Sequence, residues 1–144
     1  MEDMDSKMRD ENGESDLARA DAHYARGEYD LAISTWERVE KSGGYGFSIF
    51  YKKAISLRRL GRYEEAAASL EKALNIEPKN ADAWRAHAFC CSQIDQDEIA
   101  LSSAERSLAI DPSNARSWIV RGFALHRLGQ YERAVESYAR AIEL

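Results

Sequence analysis

Small and aromatic residues recur every 34 positions along this chain of 144 residues. The most regular column is an alanine present in every period, at Ala32, Ala66, Ala100 and Ala134. Glycine marks another point of three periods, at Gly27, Gly61 and Gly129, and Asp95 takes its place in the third. A spacing kept over four periods indicates one supersecondary unit repeated four times, with each unit burying its apolar face on its neighbours.

Each period contains two amphipathic helices separated by a short turn. In the second period an apolar face at helical spacing runs to Leu60, and Gly61 follows, where a helix can end in a left-handed turn. A second apolar helix then ends before Pro78, because proline cannot continue it. Asn80 and Asn114 precede the following helices and are predicted to cap them. The sequence therefore predicts an all-α protein.

The repeated unit resembles the tetratricopeptide repeat. The family's first-helix aromatic residue falls at Phe50, Trp84 and Trp118, and its small residue falls four places later, at Ala54, Ala88 and Gly122. This resemblance implies a right-handed α-solenoid, a superhelix of four helix-turn-helix units. The expected units are residues 13–46, 47–80, 81–114 and 115–144. Residues 1–12 are expected to form an acidic, disordered tail, since the first 14 residues carry six acids and two bases.

Three departures from the family pattern lead to separate expectations. Asp16 replaces the aromatic residue of the first unit, as expected of a terminal repeat whose outer face meets water. Asp95 and Asp97 replace the glycine and tyrosine of the third turn, which predicts a looser helix junction there. A leucine column of the family is basic here, and its members are expected to be half exposed: Arg19, Lys53, His87 and Arg121.

The resemblance implies that ligands lie in a concave groove lined by the first helix of each unit. Carried over by register, the candidate partner-binding residues are Tyr24, Tyr51, Lys52, Ile55, Arg58, Arg59, Arg85, Phe89, Arg116, Ile119, Phe123, His126 and Arg127. Bases outnumber acids on this face although the chain has a net charge of −5. Its apolar members either bind a peptide that is acidic and partly apolar, or cover the core between neighbouring first helices. Both interpretations are open at this stage.

A second function hypothesis concerns the last unit. The sequence stops at Leu144 without a polar helix to cover the last apolar face, which arrays of this kind need. Either the chain is a fragment of a longer array or this face pairs with another copy, making a homo-oligomeric scaffold such as a homodimer. The candidate self-association residues are Val135, Tyr138, Ile142 and Leu144.

One known binding mode of the family is not expected. Chaperone-binding members hold a C-terminal carboxylate with a set of Lys, Asn, Asn, Lys and Arg. The corresponding positions here are Leu17, Asp21, Lys52, Asp82 and Ala86 in one frame, and Tyr51, Ile55, Ala86, Arg116 and Val120 in the other. Neither set forms the clamp, so binding of a chaperone tail by that mode is not predicted.

Enzymatic, metal-binding and cofactor-binding functions are not predicted. His87 and Cys91 lie four apart on one helix face, but no second ligand pair follows at metal-site spacing. The chain is acidic overall, and its sequence shows no continuous basic stripe of the kind that binds nucleic acid. No apolar run is long enough to span a membrane, and the N-terminus does not resemble a signal peptide. With no disulfide expected, the chain is predicted to be a cytoplasmic protein that binds another protein or peptide.

Overall fold

The computed structural model describes residues 15–144, so the predicted acidic tail lies outside the described residues. Within this range the chain forms eight helices, arranged as four consecutive antiparallel pairs. They are α1 (Asp16–Ala25), α2 (Tyr29–Lys41), α3 (Phe47–Arg59), α4 (Tyr63–Ile76), α5 (Ala81–Gln93), α6 (Asp97–Ile110), α7 (Ala115–Arg127) and α8 (Tyr131–Glu143). Each helix packs on the next one along the chain, which confirms the all-α repeat solenoid.

Side-chain caps begin several first helices. The Asn80 carboxamide oxygen accepts a hydrogen bond from the Ala83 amide at 3.0 Å, and Asn114 accepts one from Ser117 at 3.3 Å. Both predicted caps are thus confirmed. Each cap gives an acceptor to one of the amides that the first turn of a helix leaves without a partner.

All four intra-unit turns use the same left-handed backbone conformation. The φ angle is 74° at Gly27 and 76° at Gly61 and Gly129, and Asp95 adopts 61° in the third turn. Aspartate tolerates this conformation better than most residues, because its short polar side chain can hydrogen-bond locally. The expectation of a looser third junction was wrong: Ala88 and Ala100, on its two helices, are fully buried.

The core is built from small residues where helices meet and larger ones between them. The alanine column found in every period is fully or almost fully buried, at Ala32, Ala66, Ala100 and Ala134. A main cluster spans the second and third units and includes Leu57, Leu70 and Leu74. A smaller cluster around Trp36 holds the first unit together and reaches Ile49 of the second.

A basic side chain of the second helix lies over the aromatic ring of the first helix in three units. These cation–ring pairs are Lys72 over Phe50 at 5.6 Å, Arg106 over Trp84 at 4.8 Å and Arg140 over Trp118 at 5.5 Å. In the first unit the same two columns hold Asp16 and Arg38, whose charged atoms lie 3.1 Å apart. The expectation that Asp16 faces water was therefore wrong. Asp16 is buried, because an ion pair with Arg38 replaces the cation–ring pair.

Neighbouring units are joined by a second regular contact. A basic residue of each first helix from the second unit onward meets a glutamate on the second helix of the preceding unit. The contacts are Lys53 Nζ to Glu40 Oε1 at 3.0 Å, His87 Nε2 to Glu71 Oε1 at 3.1 Å and Arg121 Nε to Glu105 Oε1 at 3.5 Å. The three basic side chains are mostly buried, so the expectation of a half-exposed column was wrong for them. We call this set of contacts the inter-unit ladder.

Candidate functional site

The candidate groove is the surface formed by the first helices α1, α3, α5 and α7. The first helices of the second and third units touch, as do those of the third and fourth, so their side chains form one continuous surface. The sequence assigned the candidate binding residues to these helices by register, and the helix ranges contain all of them.

The apolar residues of the groove divide into two groups. Tyr51, Ile55 and Phe89 are half-buried and pack on the main core cluster. Tyr24 is also half-buried, with its ring 5.8 Å from that of Trp36. These side chains cover the core between neighbouring helices, as the simpler of the two interpretations expected.

Ile119 and Phe123 on α7 form the second group. They are 50% and 39% exposed, respectively, although both are large and apolar. With Phe89 on α5 they border a cavity of about 210 Å³ whose walls are mostly apolar. Its lining consists of Phe89, Ser92, Gln93, Ile119, Val120, Phe123 and Tyr138. A cavity of this size between two first helices can accept an apolar side chain from a ligand.

Three of the seven basic groove residues already have carboxylate partners within the chain. Lys52 Nζ donates to Asp21 at 3.1 Å, which links the first helices of the first two units. Arg85 donates to Asp82 at 3.2 Å. Arg127 donates through Nε to Asp97 at 2.8 Å and also contacts Asp95. The positive excess expected from the sequence is therefore partly neutralised by acids of the first helices and of the third turn.

The remaining basic residues are available for a ligand to different degrees. The Arg58 guanidinium lies 5.6 Å from the centre of the Phe89 ring. Arg59 and Arg116 are exposed and have no carboxylate within ion-pair distance in residues 15–144. His126 is exposed, and its ring lies edge-on to that of Tyr131 at 5.3 Å. Arg58, Arg59 and Arg116 are thus the groove cations without a carboxylate partner among the described residues.

Tyr51 lies at the centre of the charged part of the groove. Burial raises the pKa of its hydroxyl, and the nearby negative charge of Asp82 raises it further. Arg85 and Arg58 act in the opposite direction. The hydroxyl therefore stays protonated at neutral pH, where it can donate a hydrogen bond.

The residues proposed for self-association do not all lie in the same environment. Val135, Ile142 and Leu144 are strongly exposed on or after α8. Tyr138 is half-buried, with its ring against Gly122 of α7, and it lines the groove cavity. Sequence reasoning thus missed Tyr138 and Val120 as groove residues.

The acids that hold Arg127 were also missed. One signal for them was present in the sequence. Aspartates replace the usual glycine and tyrosine at Asp95 and Asp97, about one period before Arg127. One period along the chain corresponds to the neighbouring unit, so the third turn lies beside the end of α7.

The candidate metal pair is engaged within the protein. His87 is buried, its Nδ1 lies 2.8 Å from Ser103 Oγ and its Nε2 lies 3.1 Å from Glu71. Cys91 Sγ lies 3.7 Å from Nε2. Within residues 15–144, no group of three or more His, Cys, Asp or Glu side chains is placed to hold a metal ion. None of the described helices is both long and apolar enough to cross a membrane.

We expect the two cysteines to be unreactive while the chain is folded. Burial raises the pKa of Cys90 to about 12 and that of Cys91 to about 11, so the nucleophilic thiolate is scarce even at mildly alkaline pH. Ellman's reagent should titrate neither thiol of the native protein over minutes, and should titrate both after unfolding in guanidinium. Rapid reaction of one thiol in the native state would contradict the burial of that side chain.

Family sequence models match three segments of the chain. A model described as TPR repeat matches residues 56–89, and models described as tetratricopeptide repeat match residues 13–38 and 103–136. Together these segments span more than half of the chain. No curated protein is similar enough in sequence to count as a relative.

Solved structures of low sequence identity share the fold. MamA 41-end from Desulfovibrio magneticus RS-1 is 22% identical with a TM-score of 0.84, and the match covers 90% of this chain and 73% of that one. YrrB, described as a TPR protein with an unusual peptide-binding site, is 20% identical with a TM-score of 0.83, over 86% of this chain and 64% of that one. The first TPR of Spaghetti (RPAP3), bound to the HSP90 peptide SRMEEVD, is 23% identical with a TM-score of 0.66. That match covers 67% of this chain and 77% of that one.

Proposed function

The chain belongs to the tetratricopeptide repeat family, and from that premise we propose that it is a protein-interaction scaffold whose groove binds an apolar and acidic peptide or partner segment. Tetratricopeptide repeat proteins are generally scaffolds without enzymatic activity. Two of the structural neighbours are described with a peptide or a peptide-binding site, which supports this kind of ligand.

The observation that carries the proposal is the cavity between α5 and α7. Ile119 and Phe123 are exposed beside it. In the other units, Tyr51 in the column of Ile119 and both Ile55 and Phe89 in the column of Phe123 pack on the core. Covering one large apolar side chain contributes roughly 1.5–3 kcal/mol to binding. An exposed arginine–carboxylate pair contributes only about 0.2–1 kcal/mol. The affinity would therefore come mainly from this cavity.

The unpaired cations determine the charge of the ligand. Arg58 lies over the ring of Phe89, which lines the cavity, while Arg59 ends α3 and Arg116 lies near the start of α7. Acidic residues on either side of an apolar anchor would meet these guanidinium groups. Such pairs chiefly increase the association rate and fix the orientation of the ligand.

We expect Ile119→Glu to weaken partner binding by at least about tenfold, because the new carboxylate lies where the apolar anchor is buried. Ile99→Glu is the matched control: Ile99 is 48% exposed, close to the 50% of Ile119, but lies on α6 outside the groove. Partners captured by each tagged protein would be quantified by mass spectrometry, with helicity checked by circular dichroism. Equal capture by both variants would exclude the groove as the binding surface.

Self-association through the fourth unit is the second candidate function. The exposure of Val135 and Ile142 favours it. The charges of α8 do not decide the matter, because the exposed Glu132, Glu136 and Glu143 alternate with the exposed Arg133 and Arg140. A two-fold contact can therefore place a carboxylate of one copy against a guanidinium of the other. Sedimentation velocity over a wide concentration range tests this alternative, and a monomer throughout would exclude it.

A further inference from the structure

The first 14 residues combine the two properties that the proposed ligand of the groove requires. All three methionines of the chain stand among them, at Met1, Met4 and Met8. Six acids and two bases give these residues a net charge of −4, which leaves only −1 of the chain's −5 for residues 15–144. We call residues 1–14 the N-terminal segment. It lies outside the described residues, and its sequence places apolar side chains among acids.

The cavity between α5 and α7 suits a methionine side chain. Three aromatic rings line it, those of Phe89, Phe123 and Tyr138. A thioether sulfur makes favourable contacts with aromatic rings, and the unbranched methionine side chain adapts to irregular apolar spaces. Among the described residues no charged side chain lines this cavity, so an uncharged anchor enters it without burying an ion.

The charged groups of the groove leave a positive surplus around this cavity. Four aspartates lie on the groove or beside it, and each has a cationic partner: Asp21 with Lys52, Asp82 with Arg85, and both Asp95 and Asp97 with Arg127. Arg58, Arg59 and Arg116 have no carboxylate partner among the described residues. Because Arg58 lies over the ring of Phe89, one of these three unmatched charges stands at the wall of the cavity.

Met4 is the methionine whose sequence neighbours match these charges. Aspartates stand on both sides of it, at positions 3 and 5, whereas basic residues stand on both sides of Met8, at positions 7 and 9. With Met4 in the cavity, its neighbours would bring carboxylates towards Arg58. With Met8 there, two cations would meet that guanidinium instead. The charges thus favour Met4 as the anchor.

The segment is long enough to reach the cavity within its own chain. Met4 stands 11 positions before Ser15, and an extended chain of that length spans roughly 36 Å. Neighbouring packed helices lie roughly 8–10 Å apart, so three such steps from α1 to α7 amount to roughly 24–30 Å. A tethered segment has an effective concentration on the order of millimolar, so even weak contacts with the groove would be populated.

We propose that the N-terminal segment occupies the groove of its own chain, with Met4 in the cavity between α5 and α7 and the flanking aspartates towards Arg58. This inference rests on the proposed function, since it uses the same groove, and it adds a regulation of that groove. A partner must displace the segment before it binds. The segment therefore sets the affinity that a ligand of the groove has to exceed.

The test places a nitroxide spin label in the segment through Ser6→Cys. Burial raises the pKa of both native cysteines, so the added thiol is the one that reacts, and the same treatment of the wild type should attach no label. In NMR spectra of the full chain, the label should broaden the amide signals of the cavity residues on α5 and α7. Adding Met4→Ser should remove most of this broadening, whereas Met8→Ser, the matched control, should keep it.

Variants of the groove give the reciprocal test. Ile119→Glu should remove the broadening on α5, whereas Ile99→Glu, at a similarly exposed residue of α6, should leave it unchanged. Broadening that survives both Met4→Ser and Ile119→Glu, or that is absent from the labelled wild-type sequence, would overturn the proposal. A mixture of isotope-labelled chains without the nitroxide and nitroxide-labelled chains without the isotope reports contacts between copies. Broadening of the same signals in that mixture would overturn it in favour of a second copy.

The regulation is measured with the segment itself as the probe. A fluorescein-labelled peptide of residues 1–14 should bind the full-length Met4→Ser chain at least about threefold more tightly than the wild type, because the chain's own segment no longer competes. The Met8→Ser chain should bind the peptide as the wild type does. Equal affinities of the wild type and the Met4→Ser chain would overturn the proposal.

The proposed function and this inference can fail separately. Partner capture that Ile119→Glu reduces would uphold the groove as a binding surface even if the spin label shows no contact with it. Conversely, broadening that requires both Met4 and Ile119, together with partner capture that ignores Ile119→Glu, would uphold the inference alone. In that case the groove would serve the chain's own segment and not an external ligand.

Discussion

Replacing Trp36 with alanine is expected to lower the free energy of unfolding by about 3–5 kcal/mol. Trp36 is completely buried and is the largest side chain of the cluster that holds the first unit, which also contains Ala20, Ala32 and Val39. The small neighbours cannot expand to fill the space, so the variant would keep most of the cavity. A loss of this size is a large share of the stability of a typical domain, about 5–15 kcal/mol.

The loss should be local, because each unit of a solenoid contacts only its neighbours. Amide hydrogen exchange should show reduced protection in α1 and α2, with protection in α5 to α8 close to that of the wild type. Urea unfolding followed by circular dichroism would give the total change. A uniform loss of protection over all eight described helices would show instead that the array unfolds as one cooperative body.

Trp36→Phe is the matched control. The indole Nε1–H of Trp36 is buried without a hydrogen-bond acceptor among the described residues. Phenylalanine keeps a ring in the cluster and removes this unsatisfied donor, which costs roughly 1–3 kcal/mol when buried. Trp36→Phe should therefore cost much less than Trp36→Ala. An equal loss of unfolding free energy in the two variants would mean that packing around the ring contributes little to the stability of the first unit.

Gly122→Val is expected to destabilise the fourth unit by about 1–3 kcal/mol through overpacking. A Cβ atom at Gly122 would lie 2.8 Å from Tyr138 Cε1 and 2.9 Å from Cδ1, closer than non-bonded carbon atoms approach. The first three units have alanine in this column, and in the second unit the facing large residue is Leu70. Glycine in α7 thus makes room for the tyrosine ring on α8.

A double-mutant cycle with Tyr138→Leu tests this reason directly. In the leucine background the added side chain meets no ring, so the cost of Gly122→Val should fall by at least half, and Gly122→Ala should become stabilising by up to about 1 kcal/mol through helix propensity. Thermal unfolding of the four proteins supplies the cycle. The same cost in both backgrounds would show that another contact limits the size of residue 122.

The repeat and its helices were predictable because their causes are local. Left-handed turns follow from Gly27, Gly61 and Gly129, and helix starts follow from Asn80 and Asn114, since both effects act within a few residues. The alanine column present in every period indicated one repeated unit that buries its apolar face on its neighbours. The environment of Asp16 and the closeness of the third junction were not predictable by this means, because they depend on partners in other columns.

The candidate site was predictable only in outline. Register placed Tyr51, Phe89 and Phe123 on first helices, but the same residue type at the same register position packs on the core at Phe89 and is exposed at Phe123. Likewise, Arg59 and Arg127 are each the last residue of a first helix. Arg127 is held by two acids of the third turn, whereas no described carboxylate pairs with Arg59. Such differences in exposure and ion pairing arise from contacts with the neighbouring unit, and the residue pattern within one unit does not record those contacts.

The 34-residue spacing by itself determined that this chain is an all-α array of repeated helix pairs. Helix periodicity, turns and caps act over short distances along the chain, so the sequence records them directly. Only the tertiary structure decided which groove side chains remain exposed and which cations are neutralised. Exposure and ion pairing depend on what the adjacent helix brings into contact, and in this solenoid that helix belongs to a different unit.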